Sequence, residues 1–404
     1  MTTVQTPVLG LLAARAGTHS EHLALVGELP DLDGPELIAI VQEAGLTGRG
    51  GAGFPAGRKL AAVAAGRSAV VVANGAEGEP ASSKDLLLMS SAPHLVLDGL
   101  VLAARATHAS SAYFYAPERV LETVVAPAVR ARRDPVSITL VPSVDAFVSG
   151  QETAVVAAVQ GLRPLPMHVP PVYQRGVGGR PTLVQNVETL AHLALVARYG
   201  AAWFRARGSQ DDPGSRLLTV SGSVRRPAVH EVAGGTSLGE AISRAGGPIG
   251  NLQAVLVGGY HGGWVPWNAE TVHLPLVRSA LARYDAAPGA GVLVALDTQH
   301  CGLVAAAGIA RYLGGQNAGQ CGPCRNGLPT IADHLADLAA GRNPTVAHAE
   351  IVRISGSVEG RGACHHPNGT IRMVRSALRT FRTEVEHHLG ARCSGAANSV
   401  RSER

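Results

Sequence analysis

A chain of 404 residues is too long for one ordinary hydrophobic core, so about two to four domains are expected. Apolar residues make up 46% of the chain and charged residues 16%, which supports buried cores and excludes general disorder. The net charge of +5 is spread along the chain without a lysine- or arginine-rich block, which argues against nucleic-acid binding.

The N-terminus and the cysteines bear on the cellular compartment. The first 20 residues have no basic group before their short apolar run, so no signal peptide is predicted. No window of about 18 uninterrupted apolar residues occurs, so no transmembrane segment is predicted. An odd number of cysteines, five, favours metal or redox chemistry over a disulfide framework. We expect a cytoplasmic protein; the alternative is a peripheral protein at the inner face of the membrane.

The first half of the chain has the pattern of an α/β domain. After an N-terminal segment (1–34), helical and strand patterns alternate over residues 35–210. "GPELIAIVQEAGL" predicts an amphipathic helix that ends at Gly45, and "AVVVANGAE" predicts a buried strand that breaks at Asn74. "PHLVLDGLVLAARAT" predicts a helix, "SAYFYAP" and "VSITLVPS" predict strands, and "GQETAVVAAVQGL" predicts a helix with Glu152 in its first turn.

The second half predicts two smaller domains and a tail. Residues 211–285 give strand, turn, strand and short-helix patterns, which predict a β-rich module. Residues 286–392 give four helical patterns, which predict a small bundle. The last residues, 393–404, are small and polar and are expected to be disordered.

The stretch "GLTGRGGAGFPAGRKL" contains G-x-G-x-x-G at Gly48, Gly50 and Gly53. A dinucleotide-binding fingerprint needs a strand before the glycines, and here a helix precedes them. No G-x4-G-K-[ST] motif fits the stretch either. Two interpretations stay open: a tightly turning surface loop, or a loop whose backbone N–H groups contact a phosphate, with charge from Arg49, Arg58 and Lys59.

Three further segments place polar residues where α/β domains bind ligands. "VVANGAEGEPASSKD" follows a strand end, "SGQETA" begins a helix, and "GGRPTLVQNVETLAHL" begins another. Their candidate side chains are Asn74, Glu77, Glu79, Lys84, Asp85, Glu152, Gln185, Asn186 and Glu188.

The order of these motifs resembles the NADH-oxidising flavoprotein subunit of respiratory complex I and of related hydrogenases. The shared series is G-R-G-G-A-G-F-P, N-x-x-E-x-E-P, G-x-E-T-A and P-T-x-x-x-N-V-E-T, and "NGAEGEP" is also similar to the equivalent subunit of Rnf-type complexes. The β-rich module resembles the ubiquitin-like SLBB domain, a β-grasp fold, and the helical end resembles the family's iron–sulfur bundle.

The resemblance implies an electron-transfer flavoprotein subunit that binds flavin mononucleotide (FMN). Electrons would pass from a reduced donor through FMN to an iron–sulfur cluster and a ferredoxin-like or membrane-bound redox partner. Glu79 and Glu152 would be the catalytic acids beside the flavin and nicotinamide. The implied cofactor-binding residues are Gly48, Arg49, Gly50, Gly51, Gly53, Phe54, Lys59, Asn74, Glu77 and Asn186.

The chain departs from the family where NADH would bind. The family stacks the adenine between aromatic rings; Phe54 is present, but "KLAAVAAG" has no second ring. Val169 and Val172 stand where the family has lysine and phenylalanine, Ala76 stands where it has an acid, and Gln151 replaces a glutamate. A lost base stack removes about 1–3 kcal/mol, so weak NADH binding or a different donor is expected.

The chain also departs at the cluster motif. The family has C-x-x-C-x-x-C and a later fourth cysteine, but Ala318 occupies the first position here. Cys321, Cys324 and Cys364 remain, with His365 or His366 as a candidate fourth ligand. Three alternatives stay open: a 4Fe–4S cluster with an atypical fourth ligand, a Cys3His zinc site, and cysteines that bind no metal. The zinc alternative accompanies a second functional hypothesis, a non-catalytic scaffold subunit with decayed cofactor sites.

Overall fold

A computed structural model describes residues 10–167 and 170–390 of the chain. The predictions for Val169, for Cys393 and the tail, and for the start of the N-terminal segment fall outside the described residues. Three domains are seen in the order that the sequence predicts, an α/β domain, a β-rich module and a helical domain.

The first domain is built on a parallel four-stranded sheet of order β3-β2-β1-β4. The β-branched residues of β1 are buried on both faces, as expected for a central parallel strand. Asn74 pairs with Asn186 in the register of β1 and β4, so the two asparagines lie side by side at the carboxyl end of the sheet. The strands are β1 Val70–Asn74, β2 Ser111–Pro117, β3 Ile138–Ser143 and β4 Thr182–Asn186.

Helices cover the sheet and confirm the predicted α/β alternation. The predicted helix before the glycine loop begins at a capping box formed by Asp33 and Glu36 and ends at Gly45, which has φ 70°. The helices are α1 His19–Val26, α2 Gly34–Ala44, α3 Ala56–Ala64, α4 Lys84–Ser91, α5 Pro93–Ala106, α6 Glu118–Val120, α7 Ala126–Arg130, α8 Glu152–Val159 and α9 Val187–Arg205, with a π-helical turn Leu121–Val125 and a 3-10 turn Val177–Gly179.

The second domain is a five-stranded mixed sheet of order β6-β5-β9-β7-β8. Its central strand β9 pairs parallel with β5 and antiparallel with β7. The boundary predicted at residues 285/286 lies before β9, so the sheet extends into the range predicted for the helical domain. The elements are β5 Ser215–Gly222, β6 Ala228–Ala233, α10 Leu238–Arg244, β7 Leu252–Val257, β8 Gly263–Pro266, 3-10 turn Thr271–His273, α11 Arg278–Leu281, 3-10 turn Ala282–Tyr284 and β9 Val292–Asp297.

The third domain has five described helices where four are predicted. The last predicted helix is interrupted at Phe381, whose ring contacts Trp264 of β8 with centroids 5.1 Å apart. Trp264 is buried and lies in the hydrophobic core of the helical domain, so the second and third domains share packing. The helices are α12 Gly302–Gly315, α13 Leu328–Ala339, α14 Pro344–Val358, α15 His366–Thr380 and α16 Arg382–Leu389, with a π-helical turn Pro323–Gly327.

None of the helices in the described ranges is by itself long and apolar enough to cross a bilayer. Taken together, α4 and α5 have the length and apolar composition of a membrane span, but a 95° bend separates the two helices.

Candidate functional site

A cavity of about 620 Å³ lies where the three domains meet. Its volume is within the usual range for small-molecule sites. All three domains contribute to its wall: the α/β domain gives the glycine loop and strand ends, the β-rich module gives two turns, and the helical domain gives the start of α15. The wall thus joins the predicted flavin loop to one of the predicted metal ligands, Cys364.

The glycine loop reaches the cavity through Gly50, Gly51 and Ala52. Gly51 has φ 113°, a conformation that other L-residues rarely adopt. A Cβ on Gly50 would lie 3.2 Å from Cβ of Asn186, so glycine is needed for the loop to approach the strand end. The loop is closed at its base by a hydrogen bond from the Gly48 N–H to the carbonyl of Phe54, 2.8 Å. This cradle of small residues beside two asparagines fits the phosphate of a flavin.

Arg49 does not contribute to this cradle, contrary to the prediction. Its buried guanidinium binds Asp212 at 2.8 Å and the carbonyl of Pro213 at 3.1 Å, and its backbone N–H donates to Thr189. The carboxylate of Asp212 is also bound by Arg216, at 2.8 Å. Arg49 therefore joins the α/β domain to the β-rich module. Its guanidinium provides the positive partner that the buried carboxylate of Asp212 requires.

Three other predicted loop residues, Gly48, Gly53 and Phe54, are absent from the cavity wall. The Phe54 side chain is 48% exposed, with the guanidinium of Arg58 5.8 Å from its ring centroid. Gly48 and Phe54 lie at the base of the loop, where the Gly48 N–H donates to the Phe54 carbonyl.

Lys59 and Glu152, predicted as a flavin ligand and a catalytic acid, form an ion pair with each other. The Lys59 ammonium also donates to the carbonyl of Val184, 2.7 Å. Neither residue lines the cavity, although Gly150 and Gln151, just before Glu152, do. In this structure the two side chains pair with each other, and their predicted direct roles at the flavin stay predictions.

The carboxyl end of the sheet supplies the polar floor of the cavity. Asn74 donates to the carbonyl of Gly150 at 2.9 Å, and Asn186 donates to Asp85 at 2.7 Å. Asp85 also accepts from the buried Lys84, 2.7 Å, which in turn binds Glu188 at 2.8 Å. These side chains are fixed by one another, so this part of the wall is rigid.

The two glutamates of the N-x-x-E-x-E-P motif both line the cavity. Glu77 accepts hydrogen bonds from the hydroxyl of Ser82 and from the backbone N–H of Asp85 and of Leu86. Glu79 accepts from the backbone N–H of Tyr260, 2.8 Å. Burial raises the pKa of Glu79 to about 7, against the opposing effect of its backbone hydrogen bonds.

Cys321, Cys324 and Cys364 lie close together in the helical domain. The thiols of Cys321 and Cys324 are hydrogen-bonded to each other, and Cys364 acts on Cys324 electrostatically. Burial raises the pKa of Cys324 to about 12 and also raises that of Cys364, whereas backbone N–H groups of Ala363 and Cys324 lower the pKa of Cys321 against its burial. Backbone N–H donors directed at sulfur suit thiolate ligands.

Over residues 10–167 and 170–390, no three His, Cys, Asp or Glu side chains are placed to hold one metal ion. A zinc site needs four ligands around one ion, whereas a 4Fe–4S cluster takes each thiolate on a different iron. Ala318 cannot supply a fourth thiolate.

Of the two predicted alternatives for the fourth ligand, His365 or His366, both ring nitrogens of His366 are engaged within the protein. Its Nε2 donates to the carbonyl of Leu313 at 2.9 Å, and its Nδ1 lies 3.1 Å from Nε2 of His261. Because a carbonyl can only accept, Nδ1 of His366 accepts from the Nε2–H of a neutral His261. His365 is exposed and lines the cavity, so it is the histidine that stays a candidate.

The sequence interpretation missed the cavity residues of the β-rich module and, in the helical domain, Arg372. His261 lies in the turn between β7 and β8; burial, and then His366 and Arg372, hold its pKa well below the usual range. A Cβ on Gly369 would collide with the ring of His261, so α15 packs directly on it. Arg278 donates to the carbonyl of Ala52 at 3.0 Å and braces the glycine loop. The glycines around His261 and the unusual "CHHPNG" segment were the available signals.

Comparisons with known proteins agree with this geometry. Residues 41–195 match the Nuo51 FMN-binding domain, residues 217–259 the SLBB domain, and residues 304–388 the NADH-ubiquinone oxidoreductase-F iron-sulfur binding region. The chain is 30% identical to the second F-type subunit of the NADH-quinone oxidoreductase of Rhizobium meliloti (strain 1021) over 406 residues, which cover 95% of both chains. The chain belongs to the family of NADH-quinone oxidoreductase F-type subunits.

Other members of this family and solved structures are also similar. The F-type subunit of the Streptomyces coelicolor NADH-quinone oxidoreductase is 29% identical over 88% of this chain and 84% of its own. Structures of an NAD+-reducing [NiFe]-hydrogenase, air-oxidised and H2-reduced, align with TM-scores of 0.85 and 0.83 at 30% identity. This chain spans 67% and 63% of those hydrogenase chains.

The matches establish the family's three-part organisation. The chain is an electron-transfer flavoprotein of this family, with an FMN-binding domain, an SLBB module and an iron–sulfur binding region. The cradle at Gly50 and Gly51 lies in the FMN-binding match, and Cys321, Cys324 and Cys364 lie in the iron–sulfur match.

Proposed function

We propose that this chain transfers electrons from a reduced donor, through FMN bound in the three-domain cavity, to an iron–sulfur cluster at Cys321, Cys324 and Cys364. The observation that carries the proposal is the cavity wall, which contains both the glycine cradle and Cys364. The flavin and one cluster ligand would therefore lie in the same cavity.

The chain's own residues would hold the flavin from the α/β side. The backbone N–H groups around Gly50 and Gly51 bind its phosphate, and Asn74, Glu77 and Asn186 present polar groups at the strand ends. When bound, FMN supplies the conversion between a two-electron donor and one-electron acceptors.

Glu79 is the residue we assign to proton handling. Its pKa of about 7 means that it is partly protonated near neutral pH, and it faces the cavity. A carboxyl group in this state can donate or accept a proton without a large free-energy cost. Glu152 and Lys59 contribute indirectly, by fixing the start of α8 against β4.

The donor and the partner are inferred from relatives named for NADH, quinone and NAD+. Weak binding of NADH is retained as a prediction: Val172 is buried in an apolar cluster with Val70 and Tyr115, so it offers no surface to a base. We propose a cytoplasmic subunit that passes electrons to a ferredoxin-like or membrane-bound redox subunit.

A scaffold with a structural zinc is the second candidate, and the observation that favours it is Ala318. The match of residues 304–388 to an iron–sulfur binding region argues against zinc. The absorption spectrum of anaerobically purified protein distinguishes the two candidate functions. Flavin bands with a broad iron–sulfur absorption support electron transfer. Protein that neither retains nor rebinds FMN and contains zinc by elemental analysis would overturn the electron-transfer proposal.

A further inference from the structure

The helical domain offers three cysteines to a cluster that ordinarily takes four. Cys321, Cys324 and Cys364 lie close together, and the backbone N–H of Ala363 donates to the sulfur of Cys321. A 4Fe–4S cluster is ordinarily held by one cysteine thiolate on each of its irons. The three thiolates therefore leave one iron of such a cluster without a cysteine.

Cys301 lies at the opposite end of the helical domain. It precedes the first residue of α12, and its thiol contacts two side chains of α16. A Cβ on Gly314, near the other end of α12, would lie 3.5 Å from Pro329, so the turn that carries Cys324 is at that other end. Because α12 has 14 residues, the two ends are about 20 Å apart. Cys301 is thus too distant to complete the cluster.

Cys393 lies outside the described residues, but the length of chain limits where it can reach. Helix α16, which contacts Cys301, ends at Leu389, four positions before Cys393. Four residues extend at most about 14 Å, which is less than the length of α12. We therefore do not assign Cys393 to the cluster, and a variant tests this below.

The loop that contains Ala318 has no substitute ligand in the residues before it. The side-chain oxygen of Gln316 accepts from the backbone N–H of Phe147 at 3.1 Å. The side-chain oxygen of Asn317 accepts from the backbone N–H of Gly319 at 2.8 Å. Both oxygens thus have partners within the protein, and the methyl group of Ala318 cannot bind iron.

The two histidines after Cys364 also fail to supply a fixed ligand. Both ring nitrogens of His366 are engaged, as described above. The ring of His365 is exposed, and it makes no hydrogen bond or ion pair in the part of the chain that the structure describes. A histidine that binds a metal normally donates its second nitrogen to an acceptor that holds the ring in place. The described residues provide no such acceptor for His365.

We propose that the cluster at Cys321, Cys324 and Cys364 has one exchangeable iron, whose fourth ligand is a small thiolate taken from solution. The proposal rests on the proposed function, which places the cluster at these cysteines. Cys321 and Cys364 are only partly buried, so dissolved molecules can reach the site. A soft thiolate is the ligand class that iron–sulfur clusters select.

An iron that no side chain holds is released when the cluster is oxidised. One electron passes from a 4Fe–4S²⁺ core to a one-electron oxidant such as ferricyanide, and the resulting 4Fe–4S³⁺ core divides into 3Fe–4S⁺ and Fe²⁺. All four sulfides stay with the protein. One electron from a reductant, together with Fe²⁺, reverses the change and restores 4Fe–4S²⁺.

The test uses the full chain, purified anaerobically and reconstituted with iron and sulfide. Iron, sulfide and EPR spectra are measured before and after stoichiometric ferricyanide, and EPR spectra of dithionite-reduced protein are measured with and without 2-mercaptoethanol. Ala318→Cys supplies the missing thiolate, and Ala318→Val is the matched control, with a side chain of similar size and no sulfur. His365→Ala and Cys393→Ser test the other candidate ligands.

We expect oxidation to lower the iron content of wild type from about four to about three per cluster, with unchanged sulfide. The product should give the EPR signal of an oxidised 3Fe–4S cluster, which has an odd number of electrons. Ala318→Cys should keep about four irons, whereas Ala318→Val, His365→Ala and Cys393→Ser should behave as wild type does. 2-Mercaptoethanol should change the EPR spectrum of reduced wild type but not that of Ala318→Cys.

A wild-type cluster that keeps its fourth iron on oxidation overturns the proposal. So does a reduced wild-type spectrum that 2-mercaptoethanol leaves unchanged. Easier loss of the fourth iron in His365→Ala or Cys393→Ser than in wild type would identify a ligand within the chain and would also overturn it. In each of these results a cluster is present, so the proposed function stands. Protein that forms no cluster and binds zinc instead overturns the proposed function as well.

Discussion

The two sides of the cavity are constructed differently. On the α/β side, Asn74 and Asn186 occupy paired positions of adjacent strands, and each has a hydrogen-bond partner in the protein. On the helical side, Cys364 lies in the loop before α15, and Cys324 lies in the π-helical turn before α13. A site at a sheet edge is fixed by strand register, whereas a site on loops before helices is completed by what it binds. The following predictions test this difference.

The largest effect is expected from Cys324→Ser. It removes a buried thiol of the proposed cluster site. The metal should then be lost and the melting temperature of the helical domain should fall by many degrees, since structural metals contribute on the order of 10 kcal/mol. FMN binding should persist, because the α/β side does not depend on the metal. Iron and sulfide analysis with calorimetry measures both effects.

Cys301→Ser is the control for this variant. Cys301 is buried at the start of α12, where its thiol contacts Glu384 and His388. Its replacement should leave the metal content unchanged. Equal metal content in wild type and Cys324→Ser would refute the cluster assignment.

Arg49→Met should destabilise the protein by about 3–5 kcal/mol, because it leaves a buried carboxylate with one partner fewer. The FMN affinity of the folded fraction should change little, since the Arg49 side chain does not line the cavity. Denaturant unfolding and flavin titration measure the two quantities, with exposed Arg58→Met as the control. Wild-type stability together with lost flavin affinity would restore the phosphate-binding interpretation that the sequence suggests for Arg49.

Glu79 should make stability fall as the pH rises. Its pKa increases from 4.5 to about 7 on folding, so between these values the folded state binds more protons than the unfolded state. The cost of ionising the buried carboxyl is at most about 3 kcal/mol at alkaline pH. Melting temperatures of flavin-free wild type and Glu79→Gln, compared from pH 5 to about pH 8, should diverge in favour of the variant as the pH rises. Parallel curves would show that Glu79 has an ordinary pKa.

Gly51→Val should weaken FMN binding about 10- to 100-fold, because φ 113° strains any residue with a Cβ by about 1–3 kcal/mol and the loop must move. Gly161→Val is the matched control: Gly161 has φ 74°, and a Cβ added to it would have nothing within 4 Å, so it adds similar strain away from the cavity. Equal loss of flavin in both variants would mean that general destabilisation, not the cradle, is responsible.

Local patterns were enough to predict most of the fold. The runs that formed β1 and α5 are short, continuous and strongly apolar, and the glycine, asparagine and glutamate motifs carried the family resemblance. The placement of Asn74 beside Asn186 follows from parallel register.

The contacts that local patterns did not predict involve partners distant in sequence. Arg49 meets Asp212 across 163 positions, and His366 meets His261 across 105. The central strand β9 pairs with β5, and Phe381 interrupts a helical pattern to pack on Trp264. Residue spacing along the chain does not predict such pairs, because buried charges and rings find their partners only when the domains pack together.

Because three domains form the cavity, a molecule bound in it holds the three domains together. A molecule bound there contacts the glycine cradle, the turn at His261 and the first turns of α15 simultaneously. By mass action, its binding free energy adds to the free energy of unfolding of the three domains as one unit. Saturated protein should therefore melt in a single cooperative transition, and emptied protein in successive steps, with the helical domain separating from the α/β domain first.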